Sequence, residues 1–233
     1  MPDRRFCCTR FIVGPRPSSL TTHRPLRDRA RSRPPGRTAL APAHKCTISI
    51  SCPAAFRFGA RLGHTHGSDI VVHGVRQRSP GAFFPATVLG NSATPTPPSA
   101  PPPLVVEAVE TFAGGDPSAT ALALDVQGLG ARFTAPVRQA CKERGIGNLL
   151  LIRNPETFLE EDRKTFTACV EQICRAWADA GLSEAARNGG HSVFLSGPAA
   201  VAVAVGARFA NNQPSRWTTY TFDDASSTYE PLS

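Results

Sequence analysis

The chain has no CxxC pair, no apolar run long enough to cross a bilayer, and no apolar core of signal-peptide length after its first arginines. Its seven cysteines, at positions 7, 8, 46, 52, 141, 169 and 174, are an odd number that includes an adjacent pair. That pattern argues against a disulfide framework and against a standard zinc site. It predicts a reducing, cytoplasmic compartment. Acidic residues are scarce at the front: residues 1–100 hold fifteen Lys or Arg but only Asp3, Asp28 and Asp69 as acids. Lysine is scarce throughout, with 23 of the 26 basic residues being arginine.

The net charge of +8 is therefore a basic front half that masks an acidic back half. Sixteen of the 22 prolines precede Leu104, ending in the run ATPTPPSAPPP at 93–103, which predicts an extended polyproline-like linker. Apolar residues in the front half come in fragments, such as Phe11, Ile12 and Val13 or Ile70, Val71 and Val72, without sustained periodicity. These features predict a largely disordered, basic region over residues 1–103 and a folded α/β domain over 104–233. His64, His66 and His73 lie near Asp69. They have the residue types of a metal site but no scaffold to hold them, so neither a metal nor a cofactor is expected.

Punctuation in the back half is regular. Residues 121–126, ALALDV, read as a strand entering the loop Gln127, Gly128, Leu129 and Gly130. Thr134 is placed to cap the next helix, with Pro136 in its first turn and Gly145 as its stop. LLLI at 149–152 is apolar on both faces, as a central strand covered by helices is. Thr157 and Glu160 have capping-box spacing, and the helix they would open carries Phe166, Cys169, Val170, Ile173 and Trp177 on one face. Its other face, with Glu161, Lys164, Glu171 and Arg175, reads as solvated surface.

Residues 191–211, HSVFLSGPAAVAVAVGARFAN, read as a buried strand turning through Gly197 and Pro198 into a helix that is apolar all round. Gly206 would let another backbone approach that helix closely. WTTYTF at 217–222 suits an edge strand, with a brief further strand at 228–232. Strand and helix alternate, which predicts a mostly parallel sheet with helices on both faces and a ligand crevice at the carboxyl ends of its strands.

This back half resembles the carboxyl-terminal part of the SAVED domain, through VFLSGPAAVAVAVGARF, the Tyr220, Thr221, Phe222 strand with its Tyr229, Glu230, Pro231 tail, and the segments LALDVQG and NLLLIRNP. The resemblance implies a CARF-like, Rossmann-like fold and a module that binds cyclic oligonucleotides in bacterial anti-phage signalling. It implies no catalysis by this chain, and as partners a cyclic oligonucleotide, further copies of the chain or a separate effector. One of the two CARF-like halves of that family is legible here. By position after the strands, the implied ligand contacts are Gln127, Gly128 and Leu129, then Arg153 and Asn154, then Ser196, Gly197 and Pro198. Helix N-termini after Gly128 and Gly197 would offer N–H donors to phosphate, with Arg132 and Arg153 adding charge.

Two other readings fit parts of the sequence. The arginine-rich arm could bind nucleic acid without sequence preference. The Ala/Val helix could serve only as an assembly surface, packed against a copy of itself.

Overall fold

The computed structural model describes residues 9–15, 46–62, 70–75, 83–89, 103–156, 159–209 and 214–232. Four strands, β1 (Thr9–Pro15), β2 (Cys46–Ile50), β3 (Ile70–Val75) and β4 (Phe83–Leu89), form an antiparallel sheet in the order β2-β1-β3-β4. Between β2 and β3 runs helix α1 (Cys52–Leu62). The second sheet holds β5 (Val105–Val106), β6 (Glu110–Thr111), β7 (Asp116–Asp125), β8 (Ile146–Arg153), β9 (His191–Ser196), β10 (Trp217–Asp223) and β11 (Thr228–Pro231). Its order is β11-β10-β9-β7-β8-β5, with β6 also on β8. The β10-β9-β7-β8 centre is parallel, while β5, β6 and β11 are antiparallel additions. WTTYTF thus lies one strand in from the edge, and β11 is the edge.

Strand alternation divides the core into two. Ala121, Ala123, Leu149, Leu151 and Phe194 face helix α2 (Ala131–Glu143), where they meet Phe133, Val137, Ala140 and Cys141. Leu122, Leu124, Leu150, Ile152 and Val193 face the other way, onto α3 (Arg163–Asp179), α5 (Ala199–Phe209) and α1. A short helix, α4 (Glu184–Asn188), leads into β9. The expected mostly parallel sheet with helices on both faces is the observed architecture.

The expectation of an unstructured front half fails for residues 52–62, 70–75 and 83–89. Cys52, Ala55, Phe56, Val72, Phe84 and Ala86 belong to the same hydrophobic core as Leu122 and Val203. One hydrophobic core thus draws on residues from both sides of 103/104. The physical reason is α5. Every residue from Ala199 to Ala207 is buried, and a helix apolar on all sides needs cover that the sheet alone cannot give. Helix α1 supplies it at backbone contact: a Cβ on Gly206 would overlap the Phe56 carbonyl, and one on Gly59 the Val203 carbonyl. The close approach expected at Gly206 is real, but its partner is α1 of the same chain, which removes the reading of α5 as a self-assembly surface. The basic remainder of the arm, the proline run and His64, His66 and Asp69 lie largely or wholly outside the described residues.

Two helix starts differ from expectation. Helix α2 begins at Ala131 behind Gly130, so Pro136 sits in its second turn and Thr134 is not its cap. That position forfeits the N–H bond to the Arg132 carbonyl. Helix α3 begins at Arg163, capped by Asp162, whose carboxylate accepts the Thr165 N–H at 2.7 Å. Glu160 is in the preceding coil, and Thr157 is outside the described residues. The core face of α3 is as expected, with Phe166, Cys169, Val170 and Ile173 buried. Trp177 is partly buried in an aromatic cluster with His191 (5.1 Å, edge to face), Phe209 (5.8 Å) and Trp217 (5.3 Å).

His191 is 5% exposed at the start of β9, with Nε2 at 3.5 Å from Arg216 Nη2 and its ring 4.5 Å from that of Trp217. Burial, and then the Arg216 guanidinium, push its pKa down to about 4, against the Arg187 carbonyl, which favours the charged ring. Because the fold prefers neutral imidazole, this contribution to stability is complete above the ordinary value near 6.5 and is lost as pH falls through about 4. The loss should reach roughly 3 kcal/mol. Urea unfolding at pH 7 and pH 4 checks it: His191→Phe should lose less stability on acidification than the parent chain, whereas equal losses would remove His191 as the cause.

Candidate functional site

The carboxyl ends of β9, β7 and β8 lie side by side, and register brings three polar residues into one row. Asp125 pairs with Ser196 on one side and with Arg153 on the other. All three occupy alternating positions that share the α2 face with Ala123, Leu151 and Phe194. The order of strands reverses between β7 and β9, the position at which open α/β sheets form their crevices.

Asp125 is the centre of the row and was not singled out from the sequence. It is wholly buried, and its carboxylate accepts the Leu129 N–H at 2.9 Å and the Gly130 N–H at 2.7 Å. Burial raises its pKa above the ordinary value, while the N–H groups of Leu129, Gly130 and Gly128 and the charge of Arg153 oppose the rise. A trace was present in the sequence: an acid ending an apolar strand, followed by glycines three and five positions on. Those glycines adopt φ values of 69° and 60°, which non-glycine residues adopt only at a cost. The turn they make points amides back at Asp125. The Leu129 and Gly130 amides, two of the donors expected to cradle a ligand phosphate after Gly128, are thus occupied by an anion of the chain itself.

The turn after β9 is closed in another way. Ser196, Gly197, Pro198, Cys52, Leu124, Val126, Leu195, Val201 and Ala202 surround a cavity of about 10 Å³, room for a single water at most. Cys52 at the start of α1 donates its thiol to the Gly197 carbonyl. A Cβ on Gly197 would press on the Val126 side chain. The open amide cradle expected at Ser196, Gly197 and Pro198 is therefore filled by α1 and Val126, and these residues form the floor of the corner.

Asn154 braces the neighbouring loops. It is buried; its Nδ2 donates to the Val126 carbonyl at 3.3 Å and its Oδ1 accepts the Glu156 N–H at 3.0 Å. Gly128 passes so close that a Cβ would overlap the Glu156 carbonyl. Gln127 Oε1 accepts the Ser196 hydroxyl at 3.0 Å. What faces solvent is Leu129, 45% exposed, and Arg153, whose Nε donates to Glu107 Oε1 at 2.7 Å. Arg132, on the first turn of α2, is also exposed. Of the eight expected contacts, the corner brings Gln127, Leu129 and Arg153 to an open rim, sets Gly128 and Asn154 behind them as supports, and leaves Ser196, Gly197 and Pro198 beneath.

Burial pushes the thiols of Cys141 and Cys169 up to about 12, which withholds the thiolate that nucleophilic or metal-binding cysteines need. Among the described residues no three His, Cys, Asp or Glu side chains converge as a metal site. No described helix is long and apolar enough to cross a membrane.

Asp125→Ala would leave two amides without their acceptor, at a cost of about 1–3 kcal/mol. Hydrogen exchange should show the Leu129 and Gly130 amides losing protection relative to the parent chain, with a lowered melting temperature. Unaltered protection at both would mean that Asp125 does not hold the turn.

No protein-family model matches the sequence, and no curated protein matches it. Among solved structures, the fold is similar to that of the Cap4 SAVED/CARF-domain containing receptor of Acinetobacter baumannii, solved with the cyclic trinucleotide 3'3'3'-cAAA. The match covers 56% of this chain and 27% of that receptor, at 13% identity and a TM-score of 0.41. The chain therefore spans about a quarter of that receptor's length.

Proposed function

We propose that the chain is a non-catalytic sensor module that holds a cyclic oligonucleotide at the β7–β8 corner, on the α2 side of the sheet, within bacterial anti-phage signalling. The ligand class comes from the residues that resemble the SAVED family. The observation that carries the placement is where the apolar surface lies. Among the described residues the exposed large hydrophobics are Val105, Val106 and Leu129; Val105 pairs with Arg153, and Leu129 sits on the turn fastened by Asp125.

Nucleobases need flat apolar surface and phosphates need charged donors. The rim offers Leu129 and Val105 for the first and Arg153 with Arg132 for the second. Gln127 adds an amide for base edges, held at its Oε1 by Ser196. In this reading Asp125 does not touch the ligand; it fixes the turn that presents Leu129. Binding would be completed by a second copy or an effector chain, and the buried thiols of Cys141 and Cys169 suit the reducing cytoplasm in which such signals act.

Calorimetric titration with cyclic triadenylate and cyclic tetra-adenylate tests the reading. One of them should bind, and Arg153→Ala should weaken it about 10- to 100-fold, the equivalent of losing a charge-assisted hydrogen bond worth roughly 1.5–3 kcal/mol. No heat with either ligand at millimolar concentration, or full affinity in Arg153→Ala, would contradict the site.

A further inference from the structure

We propose that residues 104–111 act as a built-in competitor at this corner: Glu107, backed by Glu110, neutralises Arg153 and Arg138 until a ligand phosphate takes the place of a carboxylate. The inference rests on the reading of the corner as an anion-binding site and names how that site is restrained.

The ion network is continuous. Glu107 Oε1 accepts from Arg153 Nε at 2.7 Å, and its Oε2 lies 3.7 Å from Arg138 Nη2. Arg138 is held more tightly by Glu110, donating through Nε to both carboxylate oxygens at 3.0 and 2.9 Å and through Nη2 to Oε1 at 2.5 Å. Two carboxylates thus balance two guanidiniums, one of which stands at the tip of β8. The four side chains are about 30–40% exposed, so an incoming phosphate can reach them.

The backbone of the segment is fixed, so any release of Arg153 is a side-chain movement. Leu104 is buried and exchanges two hydrogen bonds with the Gln172 side chain on α3. At the other end the Phe112 N–H donates to the Gly147 carbonyl at 2.9 Å. Between them are two strands of two residues each, far below the usual strand length; Val105 and Val106 are 38% and 42% exposed, the Glu107 N–H donates to the Leu151 carbonyl at 2.9 Å, and Val109 packs against the core. With the backbone held there, the Glu107 side chain, about 30% exposed, can leave Arg153 by rotation alone, without opening the core. Glu107 is a positioning residue, since it acts on the ligand only through the state of Arg153.

The test uses the full chain and cyclic triadenylate, with the parent chain, Glu107→Gln, Glu107→Asp and Glu110→Gln titrated at low and at physiological ionic strength. Removing the Glu107 charge should tighten binding roughly twofold to fivefold. It should also steepen the salt dependence, because a freed guanidinium is screened where a paired one is not. Glu107→Asp, which keeps the charge, should remain near the parent. If Glu107→Gln fails to fold by circular dichroism, Glu110→Gln supplies the readout, since Arg138 would then draw Glu107 away from Arg153 and tighten binding by a smaller factor. Parent-level affinity and salt slope in the folded glutamine variant would overturn the competitor while leaving the site intact. Absence of binding in every chain would overturn both.

Discussion

The backbone contact between α1 and α5 is the constraint on which the rest of the molecule depends. Gly59 lies against the Val203 carbonyl and Gly206 against the Phe56 carbonyl, so the two helices meet without intervening side chains. The contact is possible only because both positions lack a Cβ, and it is needed because α5 has no polar face to offer to water. Through it the front half of the chain joins the core: α1 brings Cys52, Ala55 and Phe56, and the antiparallel sheet adds Val72, Phe84 and Ala86, with Phe84 edge-on to Phe166 of α3 at 5.4 Å. The same contact carries Cys52 onto the Gly197 turn and closes the pocket that a bare Rossmann-like sheet would leave there.

With that side filled, the chemistry available to the molecule moves to the other face of the strand tips. There the sheet presents charge in balanced pairs. Asp125 answers the amides of the β7–α2 turn, Glu107 answers Arg153, and Glu110 answers Arg138. Each device turns a potential anion-binding group inward. In the proposed function this restraint sets a threshold: a ligand must replace a carboxylate and cover exposed apolar side chains together, which one phosphate alone does poorly.

The back half was largely legible in the sequence because each of its elements is long enough to carry its own period. LLLI carried the mark of a doubly covered strand, and the three- and four-residue spacing from Phe166 to Ile173 marked the buried face of α3. Helix starts were less legible, since Thr134 and Thr157 have the right chemistry for caps while tertiary packing chose Gly130 and Asp162 instead. Residues 52–62, 70–75 and 83–89 were misread for a different reason. Phe11, Ile12, Val13 and Ile70, Val71, Val72 are strands, but each is a short apolar fragment among arginines and prolines. α1 finds its burial partner more than a hundred residues away. Local pattern carries no trace of such a partner, although the unsatisfied apolar surface of α5 already required one. Asp125 was passed over because an acid at a strand end reads as a turn residue until the amides facing it are known.

Native-state hydrogen exchange of residues 52–62 tests the central claim most directly. If α1 is welded to α5, its amides should exchange only through global unfolding, at rates matching those of Leu122 and Leu150 in the central strands and with the same dependence on denaturant. Exchange of α1 through a low-energy local opening, while the strands stay protected, would contradict the account: the front half would then be an appendage, and the Gly197 turn would be open for ligand.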